Sequence, residues 1–69
     1  MRKLRELRRE RHLTLRDLEA ISGVDHSSIG KIENGEYLPN LGTLLKLAKA
    51  LEVSLDDLID EEEALELVK

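Results

Sequence analysis

The sequence predicts an all-α fold of five or six short helices and no strands, and three observations carry that expectation. Apolar residues recur three and four apart rather than two apart, as at Leu4 and Leu7, Leu18 and Ile21, Ile29 and Ile32, and Leu44, Leu47 and Leu51. Residues able to cap a helix precede these runs, twice as a capping box, Thr14 with Asp17 and Ser54 with Asp57. Glycine then supplies stops at Gly23 and at Asn34-Gly35, where a left-handed backbone is cheap only without a Cβ.

Each element follows from its residues. Leu4 and Leu7, with Leu13 beyond, give the first helix a narrow apolar stripe between arginines. The Thr14 hydroxyl can take an orphan amide while the Asp17 carboxylate reaches back to the cap's own amide, so a second helix starts at Leu15 and stops at Ser22-Gly23. Val24 is an apolar residue in the turn, Asp25 is a good N-cap, and a third helix runs from His26 to Glu33. A loop, Gly35 to Pro39, follows. Asn40 can cap a fourth helix whose Leu41, Leu44, Leu45, Leu47, Ala48 and Leu51 make the broadest apolar face in the chain, which marks it as the central packing helix. The fifth opens at Leu55 with Leu58 and Ile59. Asp60 through Glu63 can start a further turn, with Lys69 at its negative end as the helix dipole favours. The pattern leaves open whether the fifth helix bends or runs on.

Residues 14 to 35 therefore read as two short helices joined by a glycine turn, a helix-turn-helix, each too short to stand alone. That arrangement serves mainly to present its second helix to the major groove of DNA. Within that helix Ile29 and Ile32 pack, whereas His26, Ser27, Gly30, Lys31 and Asn34 point elsewhere. Small and hydrogen-bonding side chains on a free face suit close approach to base edges.

Composition bounds the rest. A 69-residue chain is one small domain with a modest core, often helped by self-association, so a homodimer is expected. Without cysteine there are neither disulfides nor a thiolate metal site. With no leader pattern and no long apolar run, a cytoplasmic location with no membrane association is expected. The single aromatic, Tyr37, argues against platforms that stack single-stranded bases. His12 and His26 lack ligand spacing, and Ser27 and Ser28 lack a suitably placed base, so neither a metal, a cofactor nor an enzyme activity is expected.

The net charge of −4 seats its signs at opposite ends. Arg2, Lys3, Arg5, Arg8, Arg9, Arg11 and Arg16 face only Glu6 and Glu10 in the first sixteen residues; Glu52, Asp56, Asp57, Asp60, Glu61, Glu62, Glu63 and Glu66 face only Lys69 in the last eighteen. Such a chain can dock on phosphate with its basic end forward, although the same charges can equally serve to solvate helix faces.

The ordered set Leu4-x-x-Leu7-Arg8, Leu13-Thr14, Leu18, Gly23-Val24, Ser28-Ile29, Lys31-Ile32-Glu33-Asn34-Gly35, Pro39, Thr43-Leu44-x-x-Leu47-Ala48-x-Ala50-Leu51 and Val53-Ser54-x-Asp56-x-Leu58 resembles the Cro and phage-repressor family of helix-turn-helix proteins, also called the xenobiotic-response-element family. The likeness covers residues 2 to 59. It implies a lambda-repressor-like domain over 1–59, with 60–69 an acidic extension, and a dimeric repressor of a palindromic operator in duplex DNA. It implies that His26, Ser27, Ser28 and Lys31 meet base edges or phosphate. Thr14, Leu15 and Arg16 would hold a phosphate at a helix start, and Asn34, Tyr37 and Asn40 would clamp the backbone. Arg8 and Glu33 stand where the family often has a buried ion pair. Leu55, Leu58, Ile59 and Leu65 are the expected dimer surface. A competing reading keeps the fold but binds protein, through the acidic tail with Leu65, Leu67 and Val68.

Three positions depart from the family. Glu19 stands where alanine is usual, and can reach the start of the third helix or pair with Lys31. Leu15 replaces a common glutamine, leaving only a backbone contact there. Gly30 lies mid-helix, either for close approach to DNA or because the site is tolerant.

Overall fold

The computed structural model describes residues 1–68, so Lys69, expected at the end of the last helix, lies outside the described residues. Six helices follow one another: α1 (Arg2–Glu10), α2 (Leu15–Ser22), α3 (His26–Glu33), α4 (Leu41–Leu51), α5 (Leu55–Leu58) and α6 (Glu61–Leu67). No strand forms among the described residues.

The caps read from local chemistry are made. Thr14 Oγ1 accepts from the Asp17 amide at 3.0 Å and Asp17 Oδ2 from the Thr14 amide at 2.8 Å. Asp25 Oδ2 accepts from the amides of Ser27 and Ser28, and Asn40 Oδ1 from that of Thr43 at 2.8 Å. Ser54 and Asp57 exchange bonds in the same way. Asp60 and Glu63 form a further box, at 3.0 and 2.9 Å, which decides the question the apolar pattern left open. Ile59 turns extended, φ −121° and ψ 147°, so α5 ends and α6 starts afresh. Gly23 ends α2 at φ 80°. His12 and Glu52 also take left-handed backbone, at φ 55° and 58°; neither residue type announces such a turn.

Leu4, Leu18, Ile29, Ile32, Leu44, Leu47, Leu51 and Leu58 are fully buried, with Met1, Val24 and Ala48 nearly so. Helix α4 is the expected centre, lying between α2 and α5, while α1 bridges α3 and α5. Its apolar face is narrower than the leucine count suggests. Leu44, Leu47, Ala48 and Leu51 share one arc of about 100° at 3.6 residues per turn, and Leu41 and Leu45 fall beyond its edge. They are 56% and 51% exposed, and Ile21 on α2 is similarly open at 55%.

One expected surface residue is corrected. Leu58 is completely buried within the monomer and offers nothing to a partner; the short α5 turns it inward, while Leu55 and Ile59 stay half-buried and Leu65 is 60% exposed. Leu67 of α6 rests against the core. Around Ile59, residues Leu41, Ala64, Leu67 and Val68 line an apolar hollow. The Met1 nitrogen donates to Ile32 O at 2.9 Å, putting positive charge at the negative end of α3.

Candidate nucleic-acid interface

An ion cluster built on the buried Glu33 carboxylate fixes α3 relative to α1. Arg8 donates to Glu33 through both edges of its fork, Nε to Oε2 at 2.6 Å and Nη2 to Oε1 at 2.9 Å, and its Nη1 reaches the Leu13 carbonyl at 2.8 Å. The side chains are only 11% and 3% exposed. The hydrogen bonds Arg8 donates to Glu33, opposed by burial and helped by the carboxylate's charge, raise the Arg8 pKa above the ordinary arginine value. One guanidinium thus ties the end of α3 to α1 and to the segment entering α2. Arg5, which the sequence reading did not single out, joins this cluster, donating to Glu33 Oε1 at 3.4 Å and to Asn34 Oδ1. Its spacing of three from Arg8 was the available signal, since such residues share a helix face.

The outer face of α3 carries what the sequence placed there. Ile29 and Ile32 are buried; Ser27 and Lys31 are exposed; His26 and Ser28 are partly so. The Ser27 hydroxyl donates to Asp25 Oδ2, which leaves its oxygen to accept from a base amine. Glu19 does not take Lys31. Its Oε1 lies 3.2 Å from His26 Nδ1, so the lysine is left for a phosphate or a guanine.

Thr14 and Arg16 are exposed at the start of α2, and Leu15 turns its side chain toward the core. The cap engages the Asp17 amide, so the amides of Leu15 and Arg16 remain for an anion at the positive end of the helix. Asn34 and Asn40 spend their oxygens on Arg5 and on the Thr43 amide, and so offer N–H groups, the polarity a phosphate needs. Tyr37 is 45% exposed beside them in sequence.

Gly30 faces a neighbour within the protein, and nothing in the structure there requires glycine. A Cβ there would meet Leu15 Cδ1 at 3.6 Å, an ordinary contact, so the position faces the first turn of α2. Gly30→Ala is accordingly expected to stabilise the fold by about 0.5–1 kcal/mol and leave DNA affinity unchanged; thermal melting and a binding titration check the two parts.

Glu19, Asp25 and His26 bring one ligand atom each within 4.8 Å of one another, a grouping that sequence spacing did not disclose. The spacing is within reach of a divalent cation, but both carboxylates are already engaged, one with His26 and one as the α3 cap.

Two cap carboxylates carry a pH dependence. The Thr14 amide, then its hydroxyl, holds Asp17 below the usual carboxylate range, and the Ser27 hydroxyl, then the Ser27 and Ser28 amides, does the same for Asp25. A depressed folded-state pKa contributes stability above the unfolded value and loses it as pH falls through the folded one, here below about pH 4. Melting temperature followed from pH 7 to pH 2 should fall more shallowly over that limb for Asp17→Asn with Asp25→Asn than for the parent chain.

The capped α2–turn–α3 unit, with a polar helix outward and free amides at its flank, defines a class. The chain belongs to the helix-turn-helix family, whose model matches residues 4–58. It is 46% identical over 57 residues to the uncharacterised HTH-type transcriptional regulator RghRB of Bacillus subtilis strain 168, covering 81% of this chain and 41% of that protein. It is 44% identical to the HTH-type transcriptional repressor RghR of the same strain, covering 81% and 42%. The chain spans about two fifths of the length of these regulators. The crystal structure of the restriction-modification controller protein C.AhdI from Aeromonas hydrophila matches with a TM-score of 0.80 and 38% identity, over 84% of this chain and 88% of that one. Among the described residues no helix is long and apolar enough to cross a membrane.

Proposed function

We propose that this chain is a cytoplasmic, sequence-specific duplex-DNA-binding transcription regulator, acting as a dimeric repressor on a palindromic operator. The observation that carries this is the outward polar face of α3 on the buried Arg8–Glu33 cluster, with Lys31 not drawn into the pair that Glu19 makes. Base edges fall to His26, Ser27 and Lys31, and Ser28 lies at their margin. Phosphates fall to the α2 start at Thr14, Leu15 and Arg16, and to Asn34, Tyr37 and Asn40. The names of the relatives, regulators and a repressor among them, support the same reading.

Dimerisation is assigned to Leu55, Ile59 and Leu65, with the exposed Leu41 and Val68 extending the patch around Ile59. Residues 60–69 serve there as an extension of the 1–59 domain. Repression is then steric, since an occupied promoter excludes polymerase without a bound ligand.

The test is salt-dependent binding to labelled duplex DNA by fluorescence anisotropy. Arg16→Ala and Lys31→Ala should each weaken binding and together reduce the slope of log affinity against log salt by up to about two. Unchanged affinity and slope would sink the DNA reading and leave the acidic tail as a surface for a protein partner.

A further inference from the structure

We infer that Glu19 is a positioning residue for base readout: its carboxylate holds the His26 imidazole by Nδ1, so that Nε2 is the atom turned to the DNA and its hydrogen-bonding sense selects the base. The inference rests on the duplex-DNA reading above and adds the residue that sets the chemistry of one contact.

Glu19 lies on the flank of α2 that faces the start of α3, with its side chain 35% exposed beside a His26 side chain 34% exposed. Its Oε1 is 3.2 Å from Nδ1. Asp25 Oδ1 is 3.7 Å from the same nitrogen, while the other Asp25 oxygen caps α3. The carboxylates of α2 and of the turn therefore face the same ring nitrogen. An ionised carboxylate only accepts, so the network assigns the hydrogen to Nδ1. In the neutral ring this leaves Nε2 bare, an acceptor suited to the exocyclic amines of adenine or cytosine in the major groove. In the imidazolium the same atom donates, and guanine O6 and N7 become its partners. Alanine at position 19 would remove the hydrogen-bonded partner and leave only the Asp25 carboxylate, at 3.7 Å, beyond hydrogen-bond reach of Nδ1, so the ring is held less firmly in tautomer and orientation.

Two measurements test this. Nitrogen-15 NMR of the His26 ring should find Nδ1 protonated in the parent chain and that bias weakened in Glu19→Ala, where only the more distant Asp25 carboxylate still faces Nδ1. Selection from a random-sequence duplex library should show Glu19→Ala changing the preferred base at one pair in each half-site, with discrimination there reduced about tenfold. The change should vanish in a His26→Ala background, where Glu19 has nothing to hold. If the parent selects a site and Glu19→Ala selects the same site with the same discrimination, the positioning role is wrong although DNA binding stands. A Glu19 effect that survives in His26→Ala, or an Nδ1 found without its proton, overturns it as well. If the parent enriches no sequence, the DNA reading itself fails and takes this inference with it.

Discussion

Glu33→Ala is expected to cost about 3–5 kcal/mol of folding stability, because it leaves the Arg8 guanidinium buried without its counter-charge. A 69-residue domain holds about 3–10 kcal/mol in all, so the variant should be largely unfolded near 37 °C by circular dichroism. The loss exceeds that of a surface ion pair for a geometric reason: both partners are withdrawn from solvent and share two short hydrogen bonds. Glu33→Gln keeps the shape and one acceptor, and should lose only about 1.5–3 kcal/mol, the worth of a hydrogen bond to a charged group. Arg8→Ala made together with Glu33→Ala should cost less than the sum of the two single changes, since the second removes an orphan charge that the first created. A Glu33→Ala protein melting within about 1 kcal/mol of the parent would show that α3 is oriented by packing alone.

Leu47→Ala is expected to cost about 2–5 kcal/mol through lost burial and the cavity left behind. Leu47 is fully buried on the α4 face that packs against α2 and α5, so the neighbours that must close the gap belong to different helices. Two residues earlier, Leu45 is 51% exposed, and its replacement by alanine should change stability by no more than about 0.5 kcal/mol. Denaturant midpoints at constant slope make the comparison. Equal losses at the two positions would mean that the Leu45 side of α4 is covered in solution.

What could be read from sequence divides by the range of the interaction. Caps depend on residues three apart, so Thr14 with Asp17, Asp25, Asn40 and Ser54 with Asp57 were each legible. Helix ends at His12 and Glu52 were not, because no glycine announces the left-handed backbone there; local bonds close both ends, Leu13 N–H to Arg8 O at 3.2 Å and Val53 N–H to Ala48 O at 3.0 Å. The Arg8–Glu33 pair came from the family resemblance, since residues 25 apart meet only once α1 crosses α3. Arg5 went unnoticed for the same reason. Leucine spacing placed α4 at the centre but could not say which leucines it buries, because Leu41 and Leu45 lie just past the arc that neighbours cover. Leu58 lies in the core and not on the expected dimer surface, because a four-residue helix is too short for its periodicity to reveal a face.

Glu19 was the most informative departure from the family pattern. A carboxylate where alanine is usual had two possible partners, and only the relative placement of α2 and α3 decides between His26 and Lys31. The outcome keeps the lysine free and couples a residue outside the groove to one expected within it.

Operator binding by a dimer is tested most simply by selecting bound duplexes from a random-sequence library with the purified chain at moderate salt. An inverted repeat should be enriched, with half-site centres roughly 34 Å apart, one helical turn, so that two α3 helices enter successive major grooves. Recovery of no sequence above the starting library would contradict it.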